Sequence, residues 1–282
     1  MKYGNMHLHS THSDAGFRPA FLARMAKALG YGALALTDHE TTSGVPELLE
    51  AAKNLDLEAM VGIELVGREG DRRPHLVGLD FDMEHPAIVQ LAKRAANSVT
   101  EATRIRFEDM MERGCFAKSI TWEEFVDCCP RTDMLCADHV FHVLDLKGIA
   151  SISDHRRVRA EFKACRKEVP RTDRGTVKET IEAIRAAGGV AVLAHANEEF
   201  FDSGFVDTMV GYGLNGIEIS HPNMTERAMK LATHKAMEYG LYCSGGTDHT
   251  GPMSSCDTPH AIPAYQGITK DEFDAIKERR FG

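Results

Sequence analysis

Short apolar runs recur along this chain, and their ends carry His, Asp or Glu with unusual regularity. The first run delivers His7 and His9, with Asp14 soon after; the next ends Thr37-Asp38-His39, and a third ends Gly62-Ile63-Glu64. A fourth begins Pro74-His75-Leu76-Val77. Later runs end Ala194-His195, Ser220-His221 and Gly246-Thr247-Asp248-His249. Runs such as Ala-Leu-Ala-Leu-Thr and Val-Ala-Val-Leu-Ala fit strands covered on both faces. Between them lie amphipathic stretches with helix signals: residues 18–29, with Pro19 in the first turn and Gly30 as the stop, 46–55, 176–187, 205–212, 225–239 and 270–279. Strands alternating with helices predict an α/β fold with a mostly parallel sheet, and about seven strands is close to a closed barrel.

The rhythm changes between residues 84 and 174. This stretch is rich in charge, reads as helical, lacks a clear buried strand and holds five of the seven cysteines. The expected organisation is therefore a barrel built from residues 1–83 and 175–282, with 84–174 as an inserted helical cap subdomain. The strands at 57–65 and 75–81 are joined by a polar, hairpin-like turn, Arg68 to Pro74.

In parallel α/β folds, reactive groups gather at the C-terminal ends of the strands. If the strands close, the His, Asp and Glu side chains converge on one mouth. His7 and His9 are two apart on a strand and so point the same way. Mixed imidazole and carboxylate donors suit Zn, Mn or Fe rather than Ca or Mg. The set exceeds the four ligands of one tetrahedral site, which implies two or three divalent metal ions, with Glu64 the natural bridge. Fourteen histidines, more than the 13 Phe or 6 Tyr, point the same way. His12, His85, His142, His155, His234 and His260 lie outside this pattern and read as loop, surface or structural residues.

Other classes are excluded. A charge balance of −9 disfavours non-specific binding to duplex nucleic acid. No apolar run reaches the ~20 residues of a membrane span. The first residues lack an apolar signal-peptide core, and an odd number of cysteines without Cys-x-x-Cys spacing reads as reduced thiols, so the expected location is the cytoplasm.

The ordered motifs resemble the PHP family, the polymerase-and-histidinol-phosphatase class of metal-dependent phosphoesterases. The matching residues are His7-Leu-His9 with Ser13-Asp14, Thr37-Asp38-His39, Gly62-Ile-Glu64 with His75, Ala194-His195-Ala196, and Gly246-Thr247-Asp248-His249. The resemblance implies a distorted (β/α)7 barrel with a trinuclear site. The first cation would use His7, His9, Glu64 and Asp248, and the second Glu64, His75 and His195. The third would use Asp14 and His39, with His249 as a further candidate. It also implies hydrolysis of a small phosphorylated metabolite, a nucleotide or sugar phosphate with cyclic phosphodiesters included, by attack of a metal-bridging hydroxide. His249 or His139 would protonate the leaving oxygen, and Asp38 would orient a ligand imidazole. The order of motifs is most similar to the nucleotide-bisphosphate and cyclic-phosphate branch.

Three departures stand out. His249 directly follows Asp248 where the family has Asp-x-His, Ala196 replaces a proline, and Ala137-Asp138-His139 replaces Arg-Pro-His in the insertion. No phosphate-clamping arginine stands there; Arg131 and Arg171 are the substitutes, each otherwise an ordinary surface residue. The bare constellation also admits an amidohydrolase-type C–N hydrolase, although no lysine stands at a corresponding strand end, or a metal-binding module without turnover.

Overall fold

The structure, a computed structural model, describes residues 2–129, 133–251 and 266–281. Arg131, Cys256 and His260 lie outside them. The chain begins with strand β1 (Gly4–Asn5), helix α1 (Pro19–Ala28), β2 (Ala33–Leu36), α2 (Val45–Asn54), β3 (Glu58–Val66) and β4 (His75–Leu79). Four helices follow: α3 (Pro86–Glu112), α4 (Trp122–Val126), α5 (Ala137–Leu146) and α6 (His155–Lys163). Alternation resumes with α7 (Val177–Ala186), β5 (Val190–Leu193), α8 (Glu198–Asp202), α9 (Phe205–Gly211), β6 (Gly216–Ser220), α10 (Glu226–Tyr239), β7 (Tyr242–Gly245) and α11 (Lys270–Glu278).

The strands pair in the order β1 to β7, in sequence order throughout. Beyond the short β1, the chain reaches back to β7: Met6 N–H donates to the Gly245 carbonyl at 3.1 Å, and Asp248 N–H to the His7 carbonyl at 2.9 Å. The result is a nearly closed seven-strand barrel, the expected (β/α)7 architecture. The close approach needs Gly246, because a Cβ there would lie 2.4 Å from the His7 nitrogen.

One strand breaks the parallel rule. β4 runs antiparallel to both β3 and β5, because the eight-residue turn after Val66 returns the chain directly, without a helix. Reversal puts the start of β4, not its end, at the mouth. That is why His75 opens its apolar run while the other site residues close theirs.

Alternation along the strands divides the core. Ala33 and Ala35 face inward and pack with Met6, Met60, Val77, Val190, Val192 and Tyr242. Leu34 and Leu36 face outward against Leu22 of α1 and Leu48 of α2. α11 closes the end of the barrel opposite the mouth, where Phe273 and Ile276 join the inner cluster. Its first turn is fixed by a capping box in which Thr269 Oγ1 accepts from Glu272 N–H and the Glu272 carboxylate accepts from Thr269 N–H. Thr269→Ala should lower unfolding stability by about 1 kcal/mol in urea titration, with no change in activity, because the cap is remote from the mouth.

The stretch between β4 and α7 folds as helices α3 to α6, and among the described residues it has no strand. It has an apolar cluster of its own, centred on Phe107, Phe125, Val140, Phe141, Leu144 and Val158. It touches the barrel at the mouth: Thr41 Oγ1 donates to Asp133 at 2.7 Å, and Cys136 Sγ lies 3.5 Å from the Ser13 carbonyl.

Candidate metal centre

Glu64 sits near the end of β3 and is 1% exposed. Its main chain is clamped to the segment after β2: Glu64 N–H donates to the Asp38 carbonyl at 3.1 Å, and Glu40 N–H to the Glu64 carbonyl at 2.9 Å. Five imidazole nitrogens face its two oxygens. His7 Nε2 (3.4 Å), His75 Nδ1 (2.9 Å) and His195 Nε2 (3.2 Å) approach Oε1. His9 Nε2 (3.3 Å) and His39 Nδ1 (3.0 Å) approach Oε2. Asp248 lies 3.0 Å from His9 Nε2 and 3.7 Å from His7 Nε2, and Asp14 lies 3.4 Å from His9 Nδ1 and 3.6 Å from His39 Nε2.

The structure thus brings together eight of the nine residues expected as ligands. The exception is His249. Its ring stacks on Phe17 with centroids 5.8 Å apart, and it lines a small cavity with Leu8, Leu22 and Tyr31. It belongs to none of the metal-sized groups among the described residues. Being adjacent to Asp248, rather than two residues on, sends its side chain elsewhere.

The groupings also differ in detail from those expected. His7, His9 and Glu64 form one set, and His9, Asp14 and His39 another. His75 groups with His39 and Glu64, whereas His195 groups with His7 and Asp248. Two residues outside the expected ligand set complete the cluster. Glu218, fully buried in β6, accepts from His7 Nδ1 at 2.9 Å and from the His195 main-chain N–H at 2.6 Å. His221, also buried, places Nε2 3.5 Å from Asp248. The available signal was the sequence Gly-Ile-Glu-Ile-Ser-His: a carboxylate within a strand buried on both faces needs a partner.

Backbone geometry at the mouth is unusual. Glu40, His195 and Asp248 have φ of 56°, 29° and 48°, the left-handed region that side chains other than glycine rarely adopt. Such strain persists where surrounding contacts over-determine it, and it concentrates at functional sites. Here the bond from His195 N–H to Glu218 supplies one such contact.

Asp38 plays a different part from the one expected. Among the described residues it accepts no hydrogen bond from an imidazole. Its carboxylate accepts from Ser10 N–H (2.7 Å), Ser10 Oγ (2.6 Å) and Ser13 Oγ (2.5 Å), which pins the loop carrying His9 and Asp14. His139 stands in the first turn of α5, where Nδ1 accepts from Cys136 N–H at 3.2 Å. Burial and then His142 lower its pKa to about 4, so the ring is uncharged at neutral pH.

Burial opposes charge throughout the cluster, yet the charged groups hold one another. Despite desolvation, His39, His7 and His75 keep Glu64 well below the usual carboxylate range. Likewise His7, His9 and His221 depress Asp248, while Glu218, Glu64 and Asp248 raise His7. His39 goes the other way: burial lowers it to about 4.

Hydrogen bonding alone does not account for this arrangement. One carboxylate offers about four lone-pair sites, and five imidazole nitrogens converge on it. His7 Nε2 and His9 Nε2 are 3.2 Å apart, where only one can supply a proton to the other. His9 Nδ1, His39 Nδ1 and His221 Nε2 are buried without a hydrogen-bond partner. Convergent nitrogen lone pairs beside carboxylates fit divalent cations.

Residues 5–114 match the PHP domain family. Over that stretch the chain is similar to a PHP domain. It is 25% identical over 88% of its length to a 5′-3′ exoribonuclease of Haemophilus influenzae, covering 90% of that protein. It is 27% identical over 92% of its length to a phosphoribosyl 1,2-cyclic phosphate 1,2-diphosphodiesterase of Eggerthella lenta, covering 99% of that protein. It is also 27% identical to a 3′,5′-nucleoside bisphosphate phosphatase of Chromobacterium violaceum, over 88% of this chain and 87% of the relative. A solved structure from Bifidobacterium adolescentis, described as a metal-dependent phosphoesterase, superposes with a TM-score of 0.78 at 25% identity, covering 99% of this chain and 96% of that one. Among the described residues no helix is long and apolar enough to cross a membrane.

Proposed function

We propose that this protein is a metal-dependent phosphoesterase that hydrolyses a small phosphorylated substrate. The observation that carries the reading is the convergence of five imidazole nitrogens on the buried Glu64 carboxylate, with Asp14 and Asp248 beside them. Similarity to phosphoesterases of nucleotides and sugar cyclic phosphates over nearly the whole chain supports it.

Two or three divalent cations, of Mn, Zn or Fe, fit the donor set. His7, His9, Glu64 and Asp248 would hold one, His75 and His195 with Glu64 a second, and Asp14 with His39 a third. Bound there, the cations supply Lewis acidity towards water and phosphoryl oxygens.

The chain's own residues do the rest. Glu64 turns one oxygen to His7, His75 and His195 and the other to His9 and His39, so a single carboxylate spans both halves of the cluster. Glu218 accepts from His7 Nδ1–H, which fixes the proton there and leaves the Nε2 lone pair facing the mouth. Asp38 holds the Ser10–Asp14 loop in register with β2. His139 keeps its proton on Nε2, because Nδ1 is an acceptor, and offers a neutral donor beside Thr11 and Asp14. We read the α3–α6 helices as a cap over this mouth.

The test is phosphate release by the Mn-loaded protein from histidinol phosphate, nucleoside 3′,5′-bisphosphates, sugar phosphates and ribose cyclic phosphates, with a coupled phosphatase revealing opened cyclic esters. Turnover of one class above the others is expected. No reaction with any of them, with metal bound, would overturn the reading.

A further inference from the structure

Glu40 follows the cluster residue His39 directly and carries a carboxyl group into the protein interior. It is 1% exposed and sits in left-handed backbone, with φ of 56°. Its N–H donates to the Glu64 carbonyl at 2.9 Å, and His39 pairs with Glu64 as an isolated parallel bridge between the two segments. One carboxyl oxygen, Oε1, accepts from Arg174 Nη1 at 3.1 Å, across 134 residues of sequence. Among the described residues, Arg174 is the only cation paired with Glu40.

Arg174 ends the segment that returns from helices α3–α6 to the barrel, and the main chain after it is fixed. Arg68 in the β3–β4 turn donates its N–H to the Gly175 carbonyl and accepts from Val177 N–H, both at 3.1 Å. α7 then starts at a capping box formed by Thr176 and Glu179. The Arg174 side chain lines a cavity of about 530 Å³ beside the metal centre, together with His75 and with Arg68 and Arg73 of the β3–β4 turn. It is 28% exposed there, whereas the Glu40 side chain is fully buried.

We propose that Arg174 is a positioning residue of the metal centre, which acts through Glu40 to hold His39 against Glu64. The inference rests on the reading of His39 and Glu64 as metal ligands. Left-handed backbone at a residue other than glycine costs energy and persists only where surrounding contacts impose it. At Glu40 those contacts are two: the main-chain bond to Glu64 and the ion pair to Arg174. A buried pair that loses one member leaves the other uncompensated, which disrupts more than replacing both. Relaxation of the backbone at Glu40 would turn His39, whose Nδ1 stands 3.0 Å from Glu64 and whose Nε2 stands 3.6 Å from Asp14. One ion pair thus ties the exit of the helical insertion to the donor set.

The test reads metal binding directly. Chelator-treated protein would be titrated with Co(II), with visible absorption reporting each ion bound and circular dichroism the fold. Arg174→Ala should weaken one step of the titration by about 10–100-fold, the loss typical of groups behind the ligands, and change the absorption of that step. Because Arg174 lines an open cavity, methylguanidinium can enter in its place. It should restore the step, and an equal concentration of sodium chloride should not. The double substitution Glu40→Gln/Arg174→Gln should bind Co(II) more tightly than Arg174→Gln alone, because no buried carboxyl group is left without its partner. Arg174→Gln also carries the comparison with wild type if the alanine variant does not fold.

A Co(II) titration unchanged in Arg174→Ala and Arg174→Gln would reduce the pair to a structural link and overturn the proposal. A weakening that methylguanidinium does not reverse, with a double variant no better than the single one, would overturn it as well. The phosphoesterase reading fails separately. If wild type binds Co(II) with this dependence on Arg174 but releases phosphate from no ester, the positioning role stands and that reading falls. If wild type turns over an ester and Arg174→Ala titrates as wild type does, the reading stands and the positioning role falls.

Discussion

Glu64→Gln should abolish turnover, lowering kcat/KM by roughly 10³-fold or more, which exceeds the 10–100-fold typical of groups behind the ligands. The amide keeps the shape but offers one oxygen acceptor and an NH₂ group. The NH₂ must face either His7, His75 and His195 or His9 and His39, because those two groups flank opposite oxygens. One side of the cluster then confronts a donor instead of an anionic acceptor. Metal content measured by emission spectroscopy should fall together with activity, and circular dichroism should show a retained fold. Unchanged activity with full metal content would remove Glu64 from the centre.

Glu218→Gln tests support from behind the cluster. Its two carboxylate oxygens each accept from a different donor, the His7 ring and the His195 main chain. Glutamine can accept only one of them. If its NH₂ faces His7 Nδ1, the imidazole tautomer reverses and the proton moves to the nitrogen facing the mouth. If it faces His195, two donors collide at a residue already in left-handed backbone. Metal affinity should fall by about 10–100-fold, and activity should recover in part at high metal concentration. A loss of kcat that added metal does not restore would contradict a positioning role.

Much of this architecture was legible in the sequence because buried strands write themselves as apolar runs. Helices α1, α2, α7, α9, α10 and α11 fall within a residue or two of the expected spans. The shortest elements were not: α8 has five residues, too few for a helical period, and β1 pairs over two residues although its apolar run is longer. The converging set from His7 to Asp248 was legible because each member stands at or next to an end of an apolar run, His75 at the start of its own. Glu218 was not, because Ile-Glu-Ile alternation resembles a half-exposed strand and its partners are 23 and 211 residues away. Asp38 shows a second limit. Spacing places it at a strand end, but the choice between an imidazole and two serines as its partner depends on how the following loop folds. His249 shows a third: it follows Asp248 directly, where the main chain turns through a left-handed residue, and its ring leaves the cluster for Phe17.

The reversed strand has a consequence for how this scaffold can vary. The turn that precedes β4 emerges at the mouth, so one hairpin contributes a cluster histidine at its base and two cavity arginines at its tip. Residues added to or removed from that tip would reshape the wall of the cavity without altering the pairing of any strand, because strand register is fixed below it by the ladders of β4 with both neighbours. Changes in the length of that loop can thus remodel one wall of the mouth while the strands that carry the histidine and carboxylate cluster stay in register.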